Sequence, residues 1–258
     1  MSAAMTALGH NDSPVTAPGR FDVQVHRCPH GCRRDVDTLV PHYVGRDADP
    51  KTISAILPLP AFGSIDQYER VVLRKHKGVW SDITRAQRHG YTVRPFPWRR
   101  HLTDVVAING SLPARQGRAM GPSYCRTVDE MGGEDPAAER APIVCAAHWR
   151  QIFGVFAPDG HLVAYCSLIR SDNLAIYGMW LGHADHFAAG IMHLLHYELM
   201  THLLAGDART SGIDGLLYAG WNDGQAGLQA WKARLGFGPV HMYEAGVDAG
   251  PPEGDSRG

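Results

Sequence analysis

Tyr218-Ala-Gly-Trp-Asn222-Asp-Gly-Gln-Ala-Gly-Leu228-Gln-Ala-Trp231-Lys232-Ala-Arg-Leu235-Gly236-Phe237-Gly-Pro239 reads as strand, loop, short helix and tight turn. Asn222 stands where the strand gives way to the helix. Leu228 and Trp231 are one helical turn apart, and Gly236, after Leu235, can take the left-handed conformation that ends a helix. Any β-α-β unit with a glycine-capped helix shares this outline, so the fold is decided by what precedes it.

Upstream, Arg150-Gln-Ile-Phe-Gly-Val-Phe156 alternates and is apolar, Ala157-Pro-Asp-Gly160 has the composition of a turn, and His161 to Ile169 resumes the strand pattern. Ser171-Asp172-Asn173 makes a second turn before Leu174 to Leu181. Three strands joined by short turns predict an antiparallel meander. Phe187, Ile191, Leu194, Leu195, Leu199 and Leu203 then recur at spacings of three and four, which places them on one face of a helix over 187–205. Gly212 to Ala219 supplies another strand. Earlier still, Tyr91 to Phe96 is a strand candidate, and His101 to Leu112 carries Leu102, Val105, Val106 and Ile108 on a helix-like face.

From residue 91 the order is therefore strand, helix, an ill-defined segment, three strands, helix, strand, helix, strand. With Arg94-Pro95-Phe96 opening it and Leu235-Gly236-Phe237 near its end, this order resembles the GNAT superfamily of N-acyltransferases over about residues 91–246. The resemblance implies an α+β, three-layer α/β fold: a mixed, mainly antiparallel sheet flanked by helices, here preceded by an N-terminal extension over 21–90. Within that extension lie an apolar strand candidate, Ile53 to Leu59, a helical stretch from Ile65 to Lys77, and a second helix that looks N-capped by Ser81 and ends at Gly90. Residues 1–20 and 247–258, rich in Ala, Ser, Pro, Gly and Asp, are too poor in apolar bulk to offset the entropy of ordering.

A chain of 258 residues with 44% apolar content and a formal charge of -1 can bury a sizeable core. Its apolar runs fall short of a membrane span and its N-terminus lacks the pattern of a secretion signal, so a cytoplasmic protein making no membrane contact is expected. Five cysteines at 28, 32, 125, 145 and 166 do not suggest a disulfide framework. His26, Cys28, His30 and Cys32 crowd together, yet Cys28 and Cys32 are separated by three residues and no matching pair follows, which argues against structural zinc. No metal is expected. Residues 67–120 hold eleven Lys or Arg against three acids, suited either to a solvated helix face or to an anionic carrier, cofactor phosphate, carboxylate or RNA.

By resemblance, the strand 174–181 splays from the strand 213–219, the acyl donor lies in the opening, and an N–H near Leu181 and Gly182 meets its carbonyl. Asn222 matches the amide side chain at the mouth of the last strand-to-helix loop. Two departures from the family pattern bear on the donor. Where users of acetyl-CoA carry a small-residue loop that cradles pyrophosphate at the start of the central helix, alignment on Gly190 puts Phe187 and Met192 in place of the expected Gln or Arg and Gly or Ala. Four residues before Gly236, where many members place a Tyr, stands Lys232. Trp231-Lys232 ahead of Leu235-Gly236-Phe237-Gly238 is similar to the Phe-Lys-x-x-Phe-Gly run of FemABX-type aminoacyl transferases, which share the fold and take their donor from aminoacyl-tRNA. Those enzymes normally carry two GNAT-like units, and this chain has room for one.

Lys232 is thus a candidate to meet a phosphate or a developing oxyanion, or else a solvated helix lysine. His183 is a candidate base, since imidazole titrates near neutrality. Arg115, Arg118 and Tyr124, in a segment without periodicity, are candidates to bind an acceptor bearing a carboxylate or phosphate. Three readings stay open: an N-acyltransferase using acyl-CoA, acetyl-CoA or an acyl carrier protein on a small acidic amine, a transferase using aminoacyl-tRNA, and a non-catalytic GNAT-like module that senses a ligand or binds a partner. Acceptor identity and oligomeric state are not set by the sequence.

Overall fold

The computed structural model of the chain describes residues 17–24, 43–44, 53–115, 117–135, 145–224 and 226–245. Residues 28 and 32, and with them the zinc question, lie outside the described residues. So do residues 1–16 and 246–258.

One eight-stranded sheet organises the molecule. Its strands are β1 (Gly19–Val23), β2 (Ser54–Pro58), β3 (Thr92–Pro95), β6 (His148–Phe156), β7 (Leu162–Ser171), β8 (Leu174–Gly182), β9 (Gly215–Gly220) and β10 (Gly238–Glu244), in the order β1-β10-β2-β9-β8-β7-β6-β3. The pairs β1–β10 and β8–β9 are parallel and the others antiparallel. A separate two-stranded ribbon joins β4 (Ala114–Arg115) to β5 (Arg118–Ala119). The helices are α1 (Ile65–Val71), α2 (Lys77–Arg88), α3 (Leu102–Gly110), α4 (Ile191–Leu203) and α5 (Ala226–Arg234). The meander expected from the apolar runs is present as β6, β7 and β8, joined by short turns.

Residues 53–59, expected in an extension outside the fold, instead supply β2, which sits inside the sheet between β9 and β10. A run of Ile-Leu-Pro can be read as a strand but does not name its neighbours. The helices α1 and α2 cover the same face as α4. Ile83 and Ala86 of α2, Tyr68 of α1 and Leu194, Leu195 and Leu199 of α4 are buried in one cluster with Leu57, Leu168 and Leu216 of the sheet. Each such leucine contributes roughly 1.5–3 kcal/mol through removal of apolar surface from water. On the opposite face α3 packs Val105 and Ile108 against Phe156, Leu162 and Tyr165.

Two helix starts differ from expectation. The helix α2 begins at Lys77, with His76 as its cap and Ser81 exposed in its interior. The periodic helix begins at Ile191 rather than 187, because Ala184–Ala189 winds as a 3-10 turn that ends at Gly190 with φ +88°. A Cβ at Gly190 would lie 2.4 Å from the Asp82 carbonyl oxygen, so the start of α4 is packed directly on the backbone of α2.

Candidate active site

The strands β8 and β9 pair only over Leu174–Gly215, Ala175–Leu216 and Ile176–Leu217, and then part. The cause is local on both sides. In β8 the register with β7 jumps, so that Gly178 and Met179 together oppose Ser167, a bulge that bends the strand. Gly178 permits it, since a Cβ there would already meet the Ser167 oxygens at 3.3 Å. In β9, Ala219 takes a left-handed φ of 53°, a conformation a non-glycine residue holds only where its surroundings enforce it. The opening expected from the resemblance is therefore built into the sheet.

Two chambers meet at this opening. The first, about 680 Å³, mixes charged, polar and apolar groups and is lined by Arg115, Arg118, Arg150, Tyr124, Tyr177, Leu181, Tyr218, Ala219 and Asp223 among others. The second, about 400 Å³, is lined largely by apolar and aromatic groups: Leu112, Trp180, Phe187, Met192, Leu228 and Trp231, with Gly182 at its floor. Arg115, Trp180, Tyr218 and Leu228 belong to both linings, so the chambers share a wall. Gly182 makes room there, because a Cβ would lie 2.6 Å from the Met192 sulfur and 2.8 Å from the Phe187 ring and would push these side chains into the chamber. A charged compartment and an apolar compartment in contact can hold two reactants side by side, which is what a transfer between them requires.

The walls are fixed by buried partners. The Tyr177 ring stacks on Trp180 with centroids 4.5 Å apart, while its hydroxyl reaches Nδ1 of the fully buried His196 at 3.0 Å. His196 Nε2 lies 2.7 Å from the Tyr68 hydroxyl, which itself donates to the Leu235 carbonyl at 2.8 Å. Tyr68 thus accepts from Nε2–H, leaving Nδ1 to accept from Tyr177, and one neutral tautomer serves the whole chain of bonds. Burial lowers the His196 pKa to about 3 and pushes the Tyr177 hydroxyl well up. Arg115 donates to the Ile108 carbonyl at 2.8 Å and to Ser111 Oγ at 3.1 Å, and burial lowers its pKa. Arg150 donates through Nε to the buried Ser167 Oγ at 2.7 Å.

Lys232 is fully buried, contrary to the solvated alternative, because α5 turns it under the end of β9. Its ammonium donates to the Gly220 carbonyl and lies 5.4 Å from the Tyr218 ring centre. Burial lowers its pKa, and Asp223 partly opposes that shift.

Of the residues singled out in the sequence, Arg115, Arg118, Tyr124, Leu181 and Gly182 line the chambers. Lys232 stands behind the wall. Asn222 is exposed, its side-chain oxygen accepting from Gln229 at 3.3 Å, and it is the adjacent Asp223 that lines the first chamber. His183 caps the 3-10 turn, Nδ1 accepting from the Asp185 amide at 3.4 Å, and lies outside both linings. Gly190 lies beneath α2, so the end of α4 where a pyrophosphate cradle would be sought is covered there. Sequence reading missed Arg150, Tyr177, Trp180 and Asp223. The one signal for Arg150 was a lone guanidinium heading an otherwise apolar strand. Among the described residues no group of three His, Cys, Asp or Glu is placed to hold a metal ion, and no helix is long and apolar enough to cross a membrane.

No protein-family profile matches this sequence, and no curated protein does. Among solved structures, the chain is similar to FemX at 13% identity, with 81% of this chain and 67% of that one aligned at a TM-score of 0.51. It is similar also to the C-terminal domain of a putative lysylphosphatidylglycerol synthetase from Agrobacterium fabrum, at 16% identity over 72% of this chain and 57% of that one, TM-score 0.45. A third likeness is to a tandem GNAT protein from the clavulanic acid biosynthesis pathway, at 17% identity over 73% and 50%, TM-score 0.43. The chain thus spans about half to two thirds of the length of these structures. The match to FemX is one of fold, and the chain has a GNAT-like fold.

Proposed function

We propose that this chain transfers an aminoacyl or acyl group from a carrier-borne donor to the amine of an acceptor that also bears acidic groups. One observation carries the reading: a polar chamber with three arginines and an apolar, aromatic chamber share a wall where β8 and β9 part. The acceptor's carboxylates or phosphates would meet Arg115, Arg118 and Arg150, which can bond them in pairs. The donor's reactive end would enter from the apolar side, past Trp180 and Trp231, so that amine and carbonyl meet at the shared wall.

The favoured donor is an aminoacyl-tRNA. Gly190 packs on the Asp82 backbone, and Phe187 and Met192 crowd the same turn, so a CoA pyrophosphate would find no small-residue cradle at the start of α4. The Trp231-Lys232 run and the likeness in fold to FemX point the same way. A second reading, an acyl thioester on a carrier protein, draws on the apolar lining of the 400 Å³ chamber, which suits an acyl chain.

In either case the amine must lose a proton and the tetrahedral oxyanion must be met by a donor group. Lys232 would act by fixing the Tyr218–Gly220 end of β9 from below. His183 remains a candidate base that must turn from Asp185 to serve. The test is transfer of radiolabel from a mixed pool of charged tRNA to primary amines with and without carboxylates. The reading expects transfer that favours the carboxylated amines and falls in Arg115→Met. Transfer indifferent to the acceptor's acidic groups overturns the acceptor assignment.

A further inference from the structure

Beyond the two chambers, a recess of about 240 Å³ lies between α2, α4 and α5, lined by His76, Lys77, Asp82, His193 and Arg234 among others. We infer that this recess holds a phosphate of the donor's nucleotide chain, an inference that rests on the aminoacyl-tRNA reading above.

The recess adjoins the apolar chamber. Met192, on the apolar chamber, and His193, on the recess, are consecutive in α4, while Trp231 and Arg234 stand three apart on α5. The His193 ring stacks on Trp231 at 6.0 Å between centroids and 16° between planes. This stacked pair therefore stands between the apolar chamber and the recess, which brings the two within a side chain's breadth of each other.

Lys77 and Arg234 are exposed, and among the described residues neither has an ion-pair partner. The carboxylate of Asp82 is already engaged, by Arg85 on one oxygen and by His193 Nδ1 at 2.8 Å on the other. Two unneutralised cations over a neutralised acid make an anion site.

His193 Nε2 is shielded from solvent and has no hydrogen-bond partner among the described residues. Desolvation lowers the His193 pKa, the hydrogen bond and charge of Asp82 raise it, and Arg234 and Arg85 lower it further. His196, packed against it on α4, is neutral for the same reason of burial. A phosphate oxygen in the recess supplies the opposing charge, so that the imidazolium forms and donates from Nε2 while Nδ1–H stays on Asp82. His193 lines the recess, and an anion that reached its Nε2 there would supply the partner this nitrogen lacks among the described residues.

A nucleotide phosphate can come from RNA or from CoA, and the experiment separates them. Binding of an RNA minihelix ending in single-stranded CCA, and separately of CoA, would be measured against salt for the wild type and for Lys77→Met/Arg234→Met, with thermal midpoints as a folding control. Each lost phosphate contact lowers the slope of log affinity against log salt by about 0.7–0.9. One phosphate loses its cations in the double variant, so the minihelix slope is expected to fall by about 0.7–0.9 and its affinity at moderate salt to drop about tenfold or more. A wild-type slope in the double variant overturns it while leaving the donor reading intact, as does an effect on CoA alone. A wild type that fails to bind the minihelix overturns the donor reading, and the inference with it.

Discussion

The ammonium of Lys232 donates to the carbonyl of Gly220, joining the last turn of α5 to the last residue of β9. Gly220 is held from its other side as well, its amide donating to Asp223 Oδ2 at 2.8 Å. Between them these contacts fix the end of β9 and the loop that follows it, and Tyr218 on the strand and Asp223 on the loop line the polar chamber. A buried cation is costly to keep, and this one is held by the Gly220 carbonyl beside the Tyr218 ring.

Lys232→Met removes the buried charge and one of the hydrogen bonds to the Gly220 carbonyl, which keeps the Asp223 amide as a donor at 3.2 Å, two effects on stability of opposite sign that partly cancel. The thermal midpoint is expected to move by no more than a few degrees while turnover falls at least tenfold, with the acceptor KM nearly unchanged. Steady-state kinetics on the variant, beside its melting curve, check this. A wild-type turnover would reduce Lys232 to a packing residue.

Arg150→Met should raise the acceptor KM by roughly ten- to a hundredfold with little change in kcat, since a charge-assisted hydrogen bond to the bound acceptor is lost. Arg118→Met should behave alike. An Arg150 variant that lowers kcat at unchanged KM would place the guanidinium at the reacting centre instead.

Asp223→Asn keeps a side-chain oxygen for the Gly220 amide but removes a charge beside Lys232 and the chamber, and it should weaken donor or acceptor binding measurably. Asn222→Ala, at an exposed residue bonded to Gln229, should leave both affinities within about twofold. Direct binding measurements on the two variants decide which of these neighbours faces the ligand.

Acid should unfold the protein partly through His196. Its pKa is held at about 3 in the folded state against about 6.5 when exposed, so the unfolded state binds the proton first. Stability from this group is fully present above pH 6.5 and is lost as pH falls toward 3, by up to about 1.4 kcal/mol per pH unit. His196→Gln can still accept from Tyr177 and donate to Tyr68. It should be less stable than wild type at pH 7 yet lose less between pH 6.5 and 4, as denaturant melts over that range would report.

How far the sequence carried can be traced residue by residue. The strands of the meander and the repeat Ile191, Leu194, Leu195, Leu199 and Leu203 were legible because their periods match the elements they form. The place of Ile53 to Leu59 was not, since a short apolar run fixes a strand and not its neighbours. Ser81 looked like a cap from its side chain alone, but the helix had already started four residues earlier. In the site, Arg115, Arg118 and Tyr124 stood out because their segment has no periodicity to explain them. Arg150 was hidden in a strand, and the choice between a ligand-directed and a solvated Lys232 stayed open in the sequence because α5 has scarcely any apolar face to show which side is buried.

The donor decides the account. Thermal midpoints of the wild type with saturating aminoacyl-tRNA, acyl carrier protein, long-chain acyl-CoA and acetyl-CoA measure it directly, because a ligand specific for the folded state raises its stability by mass action. The account predicts an upward shift with aminoacyl-tRNA that disappears at high salt and no shift with acetyl-CoA. A shift with acetyl-CoA and none with charged tRNA would contradict it.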